Sequence, residues 1–397
     1  MGTPEIKEVS KVLRSGWLFR YGWPGEGWTR QVERFEEAVR RQVRVPYAVA
    51  TTSGTASLMT AMAALGVGKG DEVIVPGYTF MATPLAVLAV GAVPIVADID
   101  DALGLDPEDV KRKITRRTKA IIPVHMAGLV ANLGPILKTA RRKRIWVIED
   151  CCQATGGYYR GRPLGSWGDS GAFSYNHYKT ISAGEGGAVT LKDRKHFERA
   201  MLYMDSGAFF FSPKMRHLSV KYFAGMNFRM SEVIGAVLNA QMKRLPRIVR
   251  TMNRIKRRMY AALEGHPLCP PAPVIDLKGD CGKALVLRLA DPGTTRRLAA
   301  ALDAKGLSIQ SWFKSLESDR HIYRNWWPVM RKNGHFDPRQ DPYKVTPAGR
   351  AVRYSMDMCP RTIDLLSRSI GVAISPGWSR AKVDSVVSTI EKTARTI

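Results

Sequence analysis

Between about residue 45 and residue 240, short apolar runs alternate with segments of helical spacing, and this alternation constrains the fold more than any other feature of the chain. "YAVATTSG" reads as a strand ending in a turn, and "TASLMTAMAALGVG" as a helix with a glycine stop. "DEVIVPGYTF" and "TPLAVLAVGA" repeat the pair, and "VPIVADID", "AIIPVHMAG", "IWVIEDCCQA", "SGAFSYN" and "GGAVTLKD" follow. Strands alternating with helices predict an α/β fold whose mostly parallel sheet is covered on both faces. Ligands of such sheets gather at the carboxyl ends of the strands.

The chemistry starts from one lysine. In "AFSYNHYKTISAGEGGAVT", residues 172–190, Lys179 stands between an aromatic-rich run and a glycine-rich turn. That context predicts the packed interior of a domain, where a primary amine is costly unless it has a task. Ser174 lies five residues earlier, so a hydroxyl and an amine can reach opposite ends of one ligand. Asp150 closes the apolar run "IWVIED", with Gln153 just beyond, and "GMNFRMSE" (225–232) offers Asn227 and Arg229 before another helix.

Ser53, Gly54 and Thr55 sit where a strand turns into a helix. Free N–H groups and a small side chain there suit a phosphate, although an ordinary N-cap looks the same. Together these residues are more specific than any one alone. A cofactor with a phosphate, an aldehyde and a basic ring nitrogen needs a helix N-terminus, a lysine and an aspartate. Pyridoxal 5'-phosphate has all three, and an aspartate that keeps its ring nitrogen protonated makes the ring an electron sink.

The chain has 397 residues, enough for two or three domains. The expected division is a large cofactor-binding domain with an N-terminal segment over 1–245, then a small α+β domain over 246–397. The net charge of +26 invites a nucleic-acid reading, but Lys and Arg are spread along the whole chain. The densest basic run, 241–263, places Ile248, Met252, Ile255 and Met259 at helical spacing, which predicts a helix with one buried stripe and a solvated basic face. No nucleic-acid partner is expected. The five cysteines show no metal-binding spacing, so no metal is expected and they read as reduced thiols of a cytoplasmic protein. The N-terminus is polar and amphipathic, unlike a signal peptide. The uncharged stretch 80–97 carries Pro84, Gly91 and Pro94, so no membrane span is expected there.

The order "SGTASL … GDEVIVPGYTFMAT … GAVPIVADID … TKAIIPVHMAG … IEDCCQATGGYYRGRPLGSWGD … FSYNHYKTISAGEGGAV … GMNFRMSE" resembles the DegT/DnrJ/EryC1/StrS family of sugar aminotransferases over about residues 5–245. The resemblance implies the aspartate-aminotransferase fold, fold type I, with a seven-stranded sheet, in a homodimer with shared active sites. It implies that Lys179 anchors the cofactor covalently, that Asp150 pairs with the pyridine nitrogen, and that Gln153 lies beside the ring. Gly54, Thr55 and Ser174 would cradle the phosphate, Phe80 would stack on the ring, and Asn227 would reach the phosphate from the other subunit. The substrates implied are a keto-sugar acceptor and glutamate or glutamine as donor. One branch replaces the lysine with histidine and dehydrates its sugar; here His177 is nearby but Lys179 is kept, which favours transamination.

The C-terminal third is less typical of the family. "YRNWWPVM", "SRSIGVAISPGW" and the N-terminal "SGWLFRYG" look more like the branch that aminates 8-oxo-3-deoxy-manno-octulosonate, and a related branch takes 3-oxo-glucose 6-phosphate. Both substrates are anionic. Arg20, Tyr21 and Arg368, which lie in two of these segments, are therefore the expected substrate-binding residues. A nucleotide-sugar aminotransferase, a sugar dehydratase and a non-catalytic binding protein are the competing readings.

Overall fold

Short runs of Val, Ile and Ala, each stopped by Gly, Pro, Asp or Ser, form the strands of the main sheet. They are β1 (Tyr47–Thr51), β2 (Glu72–Pro76), β3 (Val93–Ala97), β4 (Thr118–Ile121), β5 (Trp146–Asp150), then, after the hairpin β6 (Tyr158–Tyr159) and β7 (Arg162–Pro163), β8 (Ser170–Ser174) and β9 (Gly187–Leu191). The computed structural model describes residues 1–23, 25–207, 218–311 and 319–397. Among them, seven strands make one sheet in the order β1-β9-β8-β5-β4-β2-β3. Strands β3, β2, β4, β5 and β8 pair in parallel, and β9 runs against both of its neighbours. The mostly parallel α/β sheet predicted from the alternation is therefore present.

Helices α1 (Thr3–Ser15), α2 (Gln31–Val43), α3 (Gly54–Ala64), α4 (Ala82–Ala89), α5 (Pro107–Lys113), α6 (Leu133–Lys143), α7 (Arg194–Met204) and α8 (Glu232–Leu263) accompany the sheet. Side chains of a strand alternate between faces. Along β2, Val73 and Val75 accordingly join one core with Leu58 and Met62 of α3, whereas Ile74 joins another with Phe35 and Leu245. Glu232, fully buried, caps α2 by accepting the amides of Gln31 and Val32 at 2.7 and 3.0 Å.

Helix α8 contains the expected basic run. Met252, Ile255 and Met259 are buried as its stripe predicts, and Ile248 partly so. Lys256, expected on the solvated face, is instead buried against Asp280 at 2.7 Å. The carboxylate compensates the ammonium, which is what makes burial tolerable. The second half of α8 packs on a small sheet of β10 (Ala284–Arg288), β12 (Ser369–Ala373) and β11 (Ile309–Ser311), with α9 (Pro292–Ala304) and a C-terminal helix, Arg380–Ala394. The expected boundary at 245/246 falls inside α8, and Ile322, Tyr323, Trp326 and Leu365 join the core of the large sheet. Among the described residues no helix is long and apolar enough to cross a membrane.

Candidate functional site

The parallel strands deliver their carboxyl ends to one edge of the sheet. Strand β1 runs into Ser53 and Gly54, β2 into Gly77–Phe80, β5 ends on Asp150 and β8 on Ser174. The loop from β8 to the antiparallel β9 carries Lys179 across the same edge.

Asp150 is 4% exposed. Its Oδ2 accepts from the Thr83 hydroxyl at 2.9 Å, and its Oδ1 accepts from the Cys152 amide at 3.0 Å. Thr83 shares a further 2.9 Å hydrogen bond with Thr79. The carboxylate is thereby fixed from two elements, α4 and the turn after β5. Thr83 was not among the residues singled out in the sequence. Its only signal there is a second threonine four positions after Thr79.

At the other end of the site, Ser53 is a true N-cap, accepting from the Ala56 amide at 3.1 Å. The amides of Gly54 and Thr55 have no acceptor among the described residues. These are the orphan donors of a helix start. A Cβ on Gly54 would lie 2.7 Å from Ser174 Cβ and 3.0 Å from Cys152 Sγ, so glycine alone permits this approach. Free amides, an absent side chain and the Ser174 hydroxyl form a cradle that fits a phosphate. Asp150 fits a basic ring nitrogen, so this donor and acceptor set suits pyridoxal phosphate.

Lys179 does not lie in the packed interior that its sequence context predicts. It is half-buried, and the adjacent Tyr178 is 84% exposed. The loop leaves the sheet at this point, so the amine keeps contact with water. Its backbone is held by the Lys179 amide to Asn176 carbonyl bond at 3.0 Å, and Asn176 Nδ2 donates to Glu185 at 2.8 Å. Burial, and then the Asp150 charge, push the Cys152 thiol well above its ordinary pKa, while the Lys179 charge opposes them. Lys179 thus stands on the loop that crosses the sheet edge holding Asp150 and the cradle.

Gln153 Oε1 accepts from the Ala127 amide at 3.0 Å. Ala127 is left-handed with φ 51°, a conformation that is costly for a non-glycine residue and recurs at functional sites. Phe80 is 45% exposed, with its ring centroid 5.2 Å from that of His321. Asn227 is exposed; its Oδ1 accepts from the Arg229 amide at 3.3 Å, and no contact joins it to Asp150, Ser174 or Lys179 among the described residues.

The expected substrate-binding residues are engaged elsewhere. Arg20 is 3% exposed and pairs with Glu36 at 2.7 Å. Tyr21 donates to Asp205 at 2.9 Å. Arg368 Nε donates to Asp364 at 3.0 Å, and Nη2 pairs with the same carboxylate. A guanidinium buried like Arg20 requires a carboxylate from its own chain, and Asp364 lies four residues before Arg368 on the same face of one helix. Behind Asp150, the buried His125, Glu149 and Cys151 bring ligand-type atoms within 4.8 Å of one another. Glu149 already accepts amides from Gly165, Trp167 and Gly168 at 2.6–2.9 Å, and His125 Nδ1 accepts from Ala131 at 3.1 Å. These groups order the loops under the site.

A sequence model of the DegT/DnrJ/EryC1/StrS aminotransferase family matches residues 1–333. An L-glutamine:2-deoxy-scyllo-inosose aminotransferase of Streptomyces lividus is 38% identical over 263 residues, covering 65% of this chain and 61% of that protein. A GDP-perosamine synthase of Caulobacter vibrioides is 37% identical over 248 residues, covering 62% and 64%. The chain thus spans under two thirds of the length of these relatives. The crystal structure of 3-amino-5-hydroxybenzoic acid synthase superposes with a TM-score of 0.81 at 25% identity, over 100% of this chain and 97% of that one.

Proposed function

The chain belongs to the DegT/DnrJ/EryC1/StrS aminotransferase family, and on that footing we propose that it moves an amino group from glutamate or glutamine to the carbonyl of a keto- or aldehydo-sugar. The observation that supports this reading is the convergence of Asp150, the Gly54–Ser174 cradle and the Lys179 loop at one edge of the sheet. Pyridoxal phosphate, when bound, supplies an electron sink for the bonds at the amino-bearing carbon.

The residues divide the remaining work. The amides of Gly54 and Thr55 and the Ser174 hydroxyl hold the phosphate. Asp150, steadied by Thr83, accepts a hydrogen bond from the ring nitrogen and stabilises its positive charge. Gln153 would lie beside the ring, and Phe80 would cover its face. Lys179 Nζ would hold the cofactor by its aldehyde carbon and be freed when the donor binds. The freed amine then takes the proton from the donor's amino-bearing carbon and later delivers one to the acceptor's former carbonyl carbon. The donor leaves as its 2-oxo acid and the acceptor as an amino sugar, so nitrogen and hydrogen balance. Cofactor binding belongs to residues 1–245.

Asn227, exposed in its own chain, completes the site of a second copy in a homodimer. The large apolar side chains Leu18, Tyr178, Tyr222 and Met226, each at least 47% exposed, lie on the segments that flank Lys179 and Asn227 and supply area for that contact. Mixing inactive Lys179→Ala and Asn227→Ala chains restores activity if sites are shared, because some hybrids keep one intact site; no recovery contradicts sharing. The five free cysteines accord with a cytoplasmic protein.

The acceptor is a keto-sugar or keto-cyclitol, as the names of the two relatives suggest. The expectation of an acidic sugar loses its two arginines, because Arg20 and Arg368 are held by Glu36 and Asp364. Retention of Lys179 supports transamination over dehydration. A screen of neutral, acidic, phosphorylated and nucleotide-linked keto-sugars with glutamate and glutamine, following the 2-oxo acid, tests the reading. Dehydrated sugar without 2-oxo acid, or no turnover with any donor, overturns it.

A further inference from the structure

Lys283 is a second amine at this site, and nothing in the sequence pointed to it. It lies just before β10, more than a hundred residues beyond Lys179. Three contacts place it. The Cys281 amide donates to the Gly128 carbonyl at 3.1 Å. A Cβ on Gly128 would lie 3.2 Å from Lys283 Cγ and 3.3 Å from its Cβ. The neighbouring Ala127 amide holds Gln153 at 3.0 Å. Lys283 thus extends along the 127–128 turn on the Gln153 side of the site.

Its segment is firmly held. The buried Lys256–Asp280 pair spans 2.7 Å, and Asp280 Oδ1 also accepts from the Gly282 amide at 2.6 Å. Gly282 has φ +71°, and a Cβ there would lie 2.3 Å from the Asn253 amide nitrogen, so only glycine makes this turn. Asn253 Nδ2 donates to the Leu277 and Asp280 carbonyls at 2.8 and 2.7 Å. Such anchoring at the base of one lysine is what a preorganised binding group requires.

The amine itself has no carboxylate within ion-pair distance among the described residues. Burial first, and then the charge of Lys179, lower its pKa from 10.5 to about 8, with Cys281 opposing. A half-buried cation without a counter-ion, beside the turn that holds Gln153, leaves room for an anionic ligand group.

We propose that Lys283 receives the α-carboxylate of the amino-acid donor. The inference rests on the aminotransferase reading given above. The α-carboxylate is bonded to the same carbon as the migrating nitrogen, so its cation must lie beside the cofactor ring, and Lys283 stands at the turn that holds Gln153. The acidic group of a sugar would lie several bonds from the reacting carbon and would need a more distant partner. The side chain would therefore serve the first half-reaction and select amino acids over simple amines.

The test uses the holoenzyme and its Lys283→Met and Lys283→Arg variants. The first half-reaction is followed by cofactor absorbance with the better of glutamate and glutamine, and then with the matching amino alcohol, which lacks the α-carboxylate. Calorimetric binding of α-methylglutamate, which has no α-proton to lose, gives a readout independent of turnover. In Lys283→Met the donor KM rises and α-methylglutamate affinity falls on the order of 10²-fold, the scale of a charge-assisted hydrogen bond. The amino alcohol and keto-sugar constants stay within about threefold, because neither carries that carboxylate. Lys283→Arg recovers most of the loss. Unchanged donor and analogue binding in Lys283→Met, a rise confined to the keto-sugar KM, or a fall in kcat alone overturns the assignment while the wild type continues to transaminate. A wild type that transaminates nothing would instead overturn the reading on which it rests.

Discussion

Thr83, on helix α4, donates a 2.9 Å hydrogen bond to Oδ2 of Asp150, at the end of strand β5. The bond crosses between two elements and leaves the carboxylate one orientation, with Oδ1 taken by the Cys152 amide. A group that must meet a ring nitrogen at hydrogen-bond distance benefits from losing that rotation before the ligand arrives.

Asp150→Asn is expected to keep the fold and much of the cofactor binding but to lower turnover on the order of 10²-fold or more, because a neutral amide cannot stabilise a pyridinium charge. Thr83→Val, which retains the charge and loses the orienting bond, costs about tenfold. Steady-state kcat for both variants checks this. Asp150→Asn activity within a few-fold of wild type makes Asp150 a structural cap only.

Gly54→Ala places a methyl group 2.7 Å from Ser174 Cβ. Overpacking of this kind costs about 1–3 kcal/mol. Because the strain falls on the phosphate cradle, the cofactor Kd is expected to rise about 10- to 100-fold. Fluorescence titration of apoprotein with pyridoxal phosphate measures it, and an unchanged Kd removes Gly54 from the cradle.

Lys256→Met leaves Asp280 as an uncompensated charge where it is fully buried. Breaking such a pair costs about 3–5 kcal/mol, whereas replacing both partners with apolar residues recovers much of the loss. Chemical denaturation of Lys256→Met and of Lys256→Met/Asp280→Leu is expected to show this order. A single variant as stable as wild type contradicts it.

The donor KM should depend on pH. Lys283 titrates near 8 in the folded protein against an ordinary 10.5, with Lys179 and Cys281 as the titratable groups acting on it. Its cation is present below about pH 8 and lost above, so donor KM rises up to about tenfold per unit beyond that point. The stability effect has the opposite sign. Between the two pKa values the unfolded chain binds more protons, so folding from this group strengthens as pH rises from about 8 to 10.5. Lys283→Arg, which stays charged, should flatten the Lys283 component of the KM profile, and an unchanged profile contradicts the role.

Short apolar runs set between helical segments made β2 and its neighbours legible, and in the fold Val73, Ile74 and Val75 divide between two cores. The turns after β1, β5 and β8 were legible for the same reason: strand ends bring Gly54, Asp150 and Ser174 to one edge. What stayed hidden depends on contacts between distant segments. Thr83 acquires its partner only when α4 packs beside β5, and Lys283 only when the loop before β10 closes over Gly128. Arg20 and Arg368 show the same limit, because a sequence displays a guanidinium but not the carboxylate, Glu36 or Asp364, that it pairs with.

Borohydride reduction of the holoenzyme, followed by peptide mass spectrometry, identifies the amine that holds the cofactor. Lys179 and Lys283 are the two candidate amines, so the experiment has to distinguish them. A reduced pyridoxyl group is expected on Lys179 alone, and none on a Lys179→Ala variant that still binds the cofactor. A pyridoxyl group on Lys283, or no covalent product from a protein saturated with pyridoxal phosphate, would contradict it.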